Sequence, residues 1–185
     1  MRHRDGGTPA YRLFFALKPP PVVARQVDHF AEELAGGIPR IRVEHQHVTL
    51  AITQDHDAYP RAVMERLLRA GAAVMADPFD LRLDHLRFAN RSAALTSSRA
   101  VPPMQALQRG LMRAMCDVGV PLRSGWSFSP HQTLFYRNGP PGQRRIQGFG
   151  WHVEDFVLTC SHVGRTHHEE LGRWPLQGGA QLSLF

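Results

Sequence analysis

Two copies of His-x-Thr-Leu, HVTL at His47–Leu50 and HQTL at His131–Leu134, constrain this chain more than any other feature. In a β-strand successive side chains alternate between faces, so His47 and Thr49 share one face while Val48 and Leu50 share the other. The same pleat pairs His131 with Thr133 and puts Gln132 and Leu134 opposite. A fold that accounts for both copies brings two strands from separated parts of the chain to one cleft. Each strand then buries its apolar side and presents an imidazole beside a hydroxyl.

The rest of the sequence supplies the elements for such a fold. YRLFFAL (11–17) reads as a buried strand, and the apolar positions Val22, Val23, Val27, Phe30 and Leu34 predict a helix closed by Gly36-Gly37. IRVEHQHVTLAIT reads as extended throughout, and a second helix is expected over 60–75. FDLRLDHLRFA (79–89) and SAALTSS (92–98) predict a hairpin across Asn90-Arg91. A third helix follows from about Pro102 to Val118. After HQTLFYR, the segment Asn138–Gly150 reads as a Gly/Pro/Arg-rich loop, WHVEDFVLTCSHV (151–163) as one strand, and Glu170–Leu176 as the last. Strands arriving in hairpins among helices predict an α+β chain with antiparallel sheets. The boundaries read as a flexible tail over 1–10, a single bilobal catalytic domain over 11–177, and a C-terminal tail over 178–185.

Composition narrows the function classes. No run approaches the roughly 20 apolar residues of a membrane span, and MRHRDGGTPA lacks the apolar core of a secretory signal, so a cytoplasmic protein without membrane contact is expected. Cys116 and Cys160 read as buried free thiols of a reducing compartment. The net charge is +6, and Lys18 is the only lysine among 22 basic residues. Arginine forks match phosphate geometry, which permits a nucleic-acid or phosphate-ester partner.

Two imidazoles without a neighbouring carboxylate or nucleophile suit cleavage of a phosphodiester by general acid–base catalysis. One imidazole takes a proton from the attacking hydroxyl or water, and the other gives one to the departing oxygen. An ordinary imidazole pKa near 6.5 keeps both forms accessible, and such catalysis contributes about 10²–10⁴ in rate. Threonine hydroxyls hydrogen-bond the non-bridging oxygens as their charge grows. One imidazole cannot be acid and base in the same step, which is a reason for the motif to occur twice.

RLFFAL followed by prolines, HVTLAI, PHQTL and VEDFVLTCSHVG, in this order and separation, resemble the 2H phosphoesterases. Within them the match is to the bacterial 2′-5′ RNA ligase-like group of RNA 2′,3′-cyclic phosphodiesterases. The resemblance implies a bilobal fold, with two antiparallel sheets flanked by helices around a central cleft. It also implies metal-independent hydrolysis of a 2′,3′-cyclic phosphate at an RNA 3′ end to a 2′-phosphate, with no cofactor. Carried over, His47 resembles the proton donor and His131 the proton acceptor, with Thr49 and Thr133 as phosphate binders. The residues alone leave open which histidine is acid and which is base. Reversible 2′-5′ RNA ligation, hydrolysis of a small cyclic nucleotide, and a non-catalytic RNA- or clamp-binding adaptor are the alternatives. Family members often carry an arginine five residues after the second histidine, where this chain has Tyr136, with Arg137 one further on.

Around the motifs, His45 is expected to share the face of His47, and Phe135, Tyr136 and Arg137 are candidate substrate contacts. Cys160, His162, His167 and His168 have no common zinc-ligand spacing, so no metal is assigned. The final residues Gln181, Leu182, Ser183, Leu184 and Phe185 resemble the pentapeptide with which bacterial replication and repair proteins bind the DNA sliding clamp. A monomer is expected.

Overall fold

A strand, a helix and a second strand are built twice, each time ending on an HxT motif. The computed structural model describes residues 10–177. The first unit runs β1 (Ala10–Leu17), α1 (Pro21–Ala35), a 3₁₀ turn (Val43–His45) and β2 (Val48–His56). Prolines 19 and 20 end β1, Pro21 fits the first helical position because its missing N–H is not needed there, and Gly36 closes α1 in the left-handed region with φ 56°. After α2 (Arg61–Ala72) comes the hairpin β3 (Phe79–Ala89) and β4 (Ser92–Thr96). The second unit is β4, α3 (Pro102–Asp117) and β5 (Gln132–Tyr136), and β6 (Gly142–Val153), β7 (Asp155–Val163) and β8 (His167–Pro175) complete the chain.

The strands form two four-stranded antiparallel sheets, ordered β2-β1-β7-β8 and β5-β4-β3-β6. The orders correspond strand for strand, with β2 and β5, the HxT strands, at matching ends. Each is an outer strand with a free edge, and the lead-in to the other motif covers it. Ile41 N–H donates to Leu134 O at 2.8 Å, and Arg123 N–H donates to Ile52 O at 2.9 Å. Covering both edges in this reciprocal way removes unpaired backbone groups and ties the two sheets together where the motifs meet.

Alternation along β1 gives the first sheet two apolar faces. Leu13, Phe15 and Leu17 join the main core with Val48, Leu50, Phe156 and Leu158, while Phe14 and Ala16 form a small cluster with Val157 and Ile52 on the other side. Phe14 and Ile52 of that second cluster line the cleft.

Several expectations are corrected. The segment 41–53 is not extended throughout, because Val43–His45 turns before β2 starts at Val48. Residues 142–150 are strand β6 rather than loop, and 151–163 is broken at Glu154 into the end of β6 and all of β7. Glycines and exposed arginines hide β6 in the sequence, yet Gly148 is there because the strand passes too close to β3 for a side chain. At its φ of +83°, an added Cβ would lie 2.7 Å from Asp84 Cα. Ala10, assigned to the N-terminal tail, opens β1. The clamp-type residues Gln181–Phe185 lie outside the described residues. Both cysteines are free, but only Cys160 is buried; Cys116, on the outer side of α3, is exposed. Among the described residues, no helix is long and apolar enough to cross a membrane.

Candidate active site

Both motifs carry the same local device. His47 and His131 each stand one residue before their strand, and each Nδ1 lies on the carbonyl oxygen two residues back, at 2.6 Å from His45 O and 2.7 Å from Ser129 O. A carbonyl only accepts, so Nδ1 carries the proton in the neutral ring and Nε2 keeps its lone pair. Behind the rings the two halves are joined directly: the buried Gln132 Nε2 donates to the buried Gln46 Oε1 at 3.0 Å. The residue preceding one catalytic candidate thus holds the residue following the other.

The threonines are placed by a second shared device. Across its strand Thr49 faces Ala16, while Ala51 faces Phe15, leaving Leu50 as an extra residue. In β5 Thr133 faces Ala94, Phe135 faces Ala93, and Leu134 is extra. Each motif leucine is therefore the inserted residue of a bulge, which re-aims the side chains after it. Leu50 and Ala51 are both buried, as are Leu134 and Phe135. The fifth residue after each histidine, Ile52 or Tyr136, then returns to the cleft face alongside the threonine. Alanines opposite the threonines leave room beside the hydroxyls.

His47, Thr49, His131 and Thr133 line one cleft of about 520 Å³, together with Arg12 and His168. The environments of the two imidazoles differ. His131 is exposed, whereas His47 is half-buried, stacked on Phe14 with ring centroids 4.7 Å apart and edge-on to His168 at 5.9 Å. Desolvation pushes the His47 pKa down to about 4, helped by the positive fields of His131, Lys18 and His45 and opposed by the hydrogen bond at His45 O. His168 is pushed down to about 3, again first by burial and then by His45 and His47.

The lowered His47 pKa has a consequence for stability. The unfolded chain takes up this proton near pH 6.5 and the folded chain only near 4, so the contribution is complete above about pH 6.5 and is lost as pH falls toward 4. The thermal midpoint is expected to drop between pH 7 and pH 5, at about 2–4 °C for each kcal/mol lost in a domain of this size. His47→Gln should flatten that slope in scanning calorimetry; an unchanged slope would contradict the burial of the ring.

The match to a family model decides the lineage. The model for the 2′-5′ RNA ligase superfamily matches residues 19–168, most of the chain and both motifs. This chain belongs to the 2′-5′ RNA ligase superfamily. The fold agrees with solved structures of that 2H phosphoesterase type. The crystal structure of E. coli LigT complexed with 3′-AMP superposes with a TM-score of 0.71 at 24% identity, covering 91% of this chain and 99% of that one. LigT complexed with phosphate gives 0.69 at 22%, again covering 91% and 99%. TT0787 of Thermus thermophilus gives 0.73 at 23%, covering 90% and 98%. A search of curated protein sequences gave no significant match.

Within this superfamily fold, the other candidates fare unequally. His45 lies in the 3₁₀ turn rather than on a strand shared with His47. It contributes its carbonyl to His47, and its ring, 4.3 Å from that of His168, lines the cleft. Tyr136 is exposed and in the cleft. Phe135 is fully buried and cannot stack on a base, because the bulge turns it into the core. The same bulge sends Arg137 the other way, its guanidinium 4.8 Å above the Phe88 ring.

Arg12 and His168 are charged or titratable cleft residues that the sequence did not assign to the site. Arg12 forms a bidentate pair with Asp55, 2.7 Å on each oxygen, and Arg123 shares the same carboxylate. Two guanidinium groups on one carboxylate leave a net positive charge at the cleft wall. The signal for Arg12 was present in YRLFFAL, whose alternation puts Arg12 with Phe14 on the face opposite the core. His168 had no signal of its own, since only the β7–β8 pairing brings it to His47.

Proposed function

We propose that this chain hydrolyses the 2′,3′-cyclic phosphate at an RNA 3′ end to a 2′-phosphate, using His47 and His131 as a metal-independent acid–base pair. The observation that carries this reading is the matched pair of Nε2 atoms. Each is left free by an Nδ1–carbonyl bond, and the two face one cleft with a threonine hydroxyl beside each. Superfamily membership supports phosphoester chemistry, and LigT structures hold 3′-AMP and phosphate. The net charge of +6 and the Arg12–Arg123 pair suit an anionic polymer.

In this mechanism Thr49 and Thr133 bind the two non-bridging oxygens. Exposed His131 accepts a proton from an incoming water at Nε2, the water oxygen bonds to phosphorus, and the P–O3′ bond breaks. His47 gives its Nε2 proton to the departing O3′, leaving a 3′-hydroxyl and a 2′-phosphomonoester. Burial keeps His47 neutral near pH 7, so the protonated form has to arise with substrate. A phosphate anion held between the threonines supplies the negative charge that favours imidazolium. In this reading Tyr136, exposed on the cleft face, packs against the terminal nucleoside.

The test is an oligoribonucleotide ending in a 2′,3′-cyclic phosphate, incubated with the protein in excess EDTA. The expected product carries a 2′-phosphate and resists enzymes that remove only 3′-phosphates. Unchanged substrate would overturn the reading.

A further inference from the structure

The two faces of the β7–β8 hairpin carry different chemistry. Ser161 pairs with His168, and that face delivers His168 to the cleft. Cys160 pairs with Glu169 and His162 pairs with His167, so these four side chains share the opposite face. The Cys160 sulfur, a ring nitrogen of His162 and a carboxylate oxygen of Glu169 lie within 4.8 Å of one another. Cys160 is fully buried, and His162 Nε2 is buried with no hydrogen-bond partner among the described residues. Tyr59 O–H donates to Glu169 Oε2 at 2.9 Å and holds that carboxylate in place, 3.7 Å from His162 Nε2. The His167 ring stands 4.7 Å from that of His162.

We propose that Cys160, His162 and Glu169 form a binding site for a single divalent ion of the zinc class, with His167 or water as the fourth ligand. Thiolate, imidazole and carboxylate are the donors this class of ion takes, at about 2.3 Å for sulfur and about 2.0–2.2 Å for nitrogen and oxygen. Tetrahedral bonds of those lengths separate a nitrogen and an oxygen donor by about 3.3–3.6 Å, and the His162–Glu169 pair, at 3.7 Å, stands just outside that separation. On binding, the thiol proton leaves to solvent and the orphaned His162 nitrogen gains a partner. The site joins β7, β8 and, through Tyr59, the loop before α2, so its role is structural, and His162, which also borders the cleft, sets it next to the acid–base pair. No linear spacing announces it, because the ligands come from two strands and meet through hairpin register.

Zinc titration of the EDTA-treated full-length protein followed by calorimetry, and Co²⁺ titration followed by absorbance, test this directly. One Zn²⁺ per chain, a thiolate-to-cobalt charge-transfer band and a raised thermal midpoint are expected. Cys160→Ser and His162→Gln should each abolish the band and weaken zinc binding at least tenfold, while Cys116→Ser retains both. His162→Gln, checked for fold by circular dichroism, decides the matter if Cys160→Ser is unstable. Absence of the band in the parent protein would overturn the proposal. So would zinc binding that survives His162→Gln and is lost in His47→Gln, because the ion would then sit in the cleft.

Discussion

His131→Ala is expected to lower the turnover of a 2′,3′-cyclic phosphate by about 10²–10⁴, the range that a positioned proton-transfer group contributes. His47→Ala should fall in the same range, and the double variant should be little worse than either single one, because the two groups act in one step. Folding should survive in both. His131 is exposed and touches its own lead-in through Ser129 O, and the Gln46–Gln132 bond that joins the halves does not involve either ring. Single-turnover rates on a cyclic-phosphate oligonucleotide, with thermal midpoints at about pH 7.5 measured alongside, separate the outcomes. Activity within about threefold of the parent in either variant would remove that histidine from the chemistry.

Thr49→Val and Thr133→Val are the second sharp test. Valine keeps the branched shape that β2 and β5 accommodate and removes only the hydroxyl. If the hydroxyls bind the non-bridging oxygens as charge accumulates on them, each loss resembles removal of one oxyanion donor, about 10²–10³ in kcat. KM should change less than kcat, because the interaction strengthens toward the transition state. The reverse pattern, a raised KM at constant kcat, would make the threonines ground-state contacts only. The alanines opposite them, Ala16 and Ala94, leave space that valine fills without clash, so the fold should be retained.

The two histidine–threonine pairs that meet in the cleft were legible in the sequence because they depend on local pattern alone: two tetrapeptides, each heading a strand. The α+β class followed from hairpins and helical spacing. What escaped depends on pairing between distant strands. β6 escaped because Arg144 and Arg145 are exposed and Gly148 serves the close approach to β3, so no alternation survives. Phe135 was misread for a related reason. Strict alternation leaves Phe135 on the face of Thr133, and only the extra residue at Leu134 sends it into the core and brings Tyr136 into the cleft. Alternation shows the face of Arg12, but its charge partners, Asp55 and Arg123, come from distant segments and were not legible. Cys160, His162 and Glu169 are a fourth case, assembled by hairpin register rather than by spacing.

The twin carbonyl anchors at His45 and Ser129 bear on which way the chemistry runs. Each ring is pinned in the same tautomer and offers the same single lone pair, so under the proposed mechanism giver and taker exchange roles when the direction reverses. By microscopic reversibility the group that protonates O3′ when a cyclic end opens deprotonates it when the ring closes, so one cleft speeds both directions by the same factor. Whether such a cleft severs or joins is then fixed by its supply. Water at its bulk concentration drives opening, and a hydroxyl held at high local concentration in place of that water drives the formation of a new linkage.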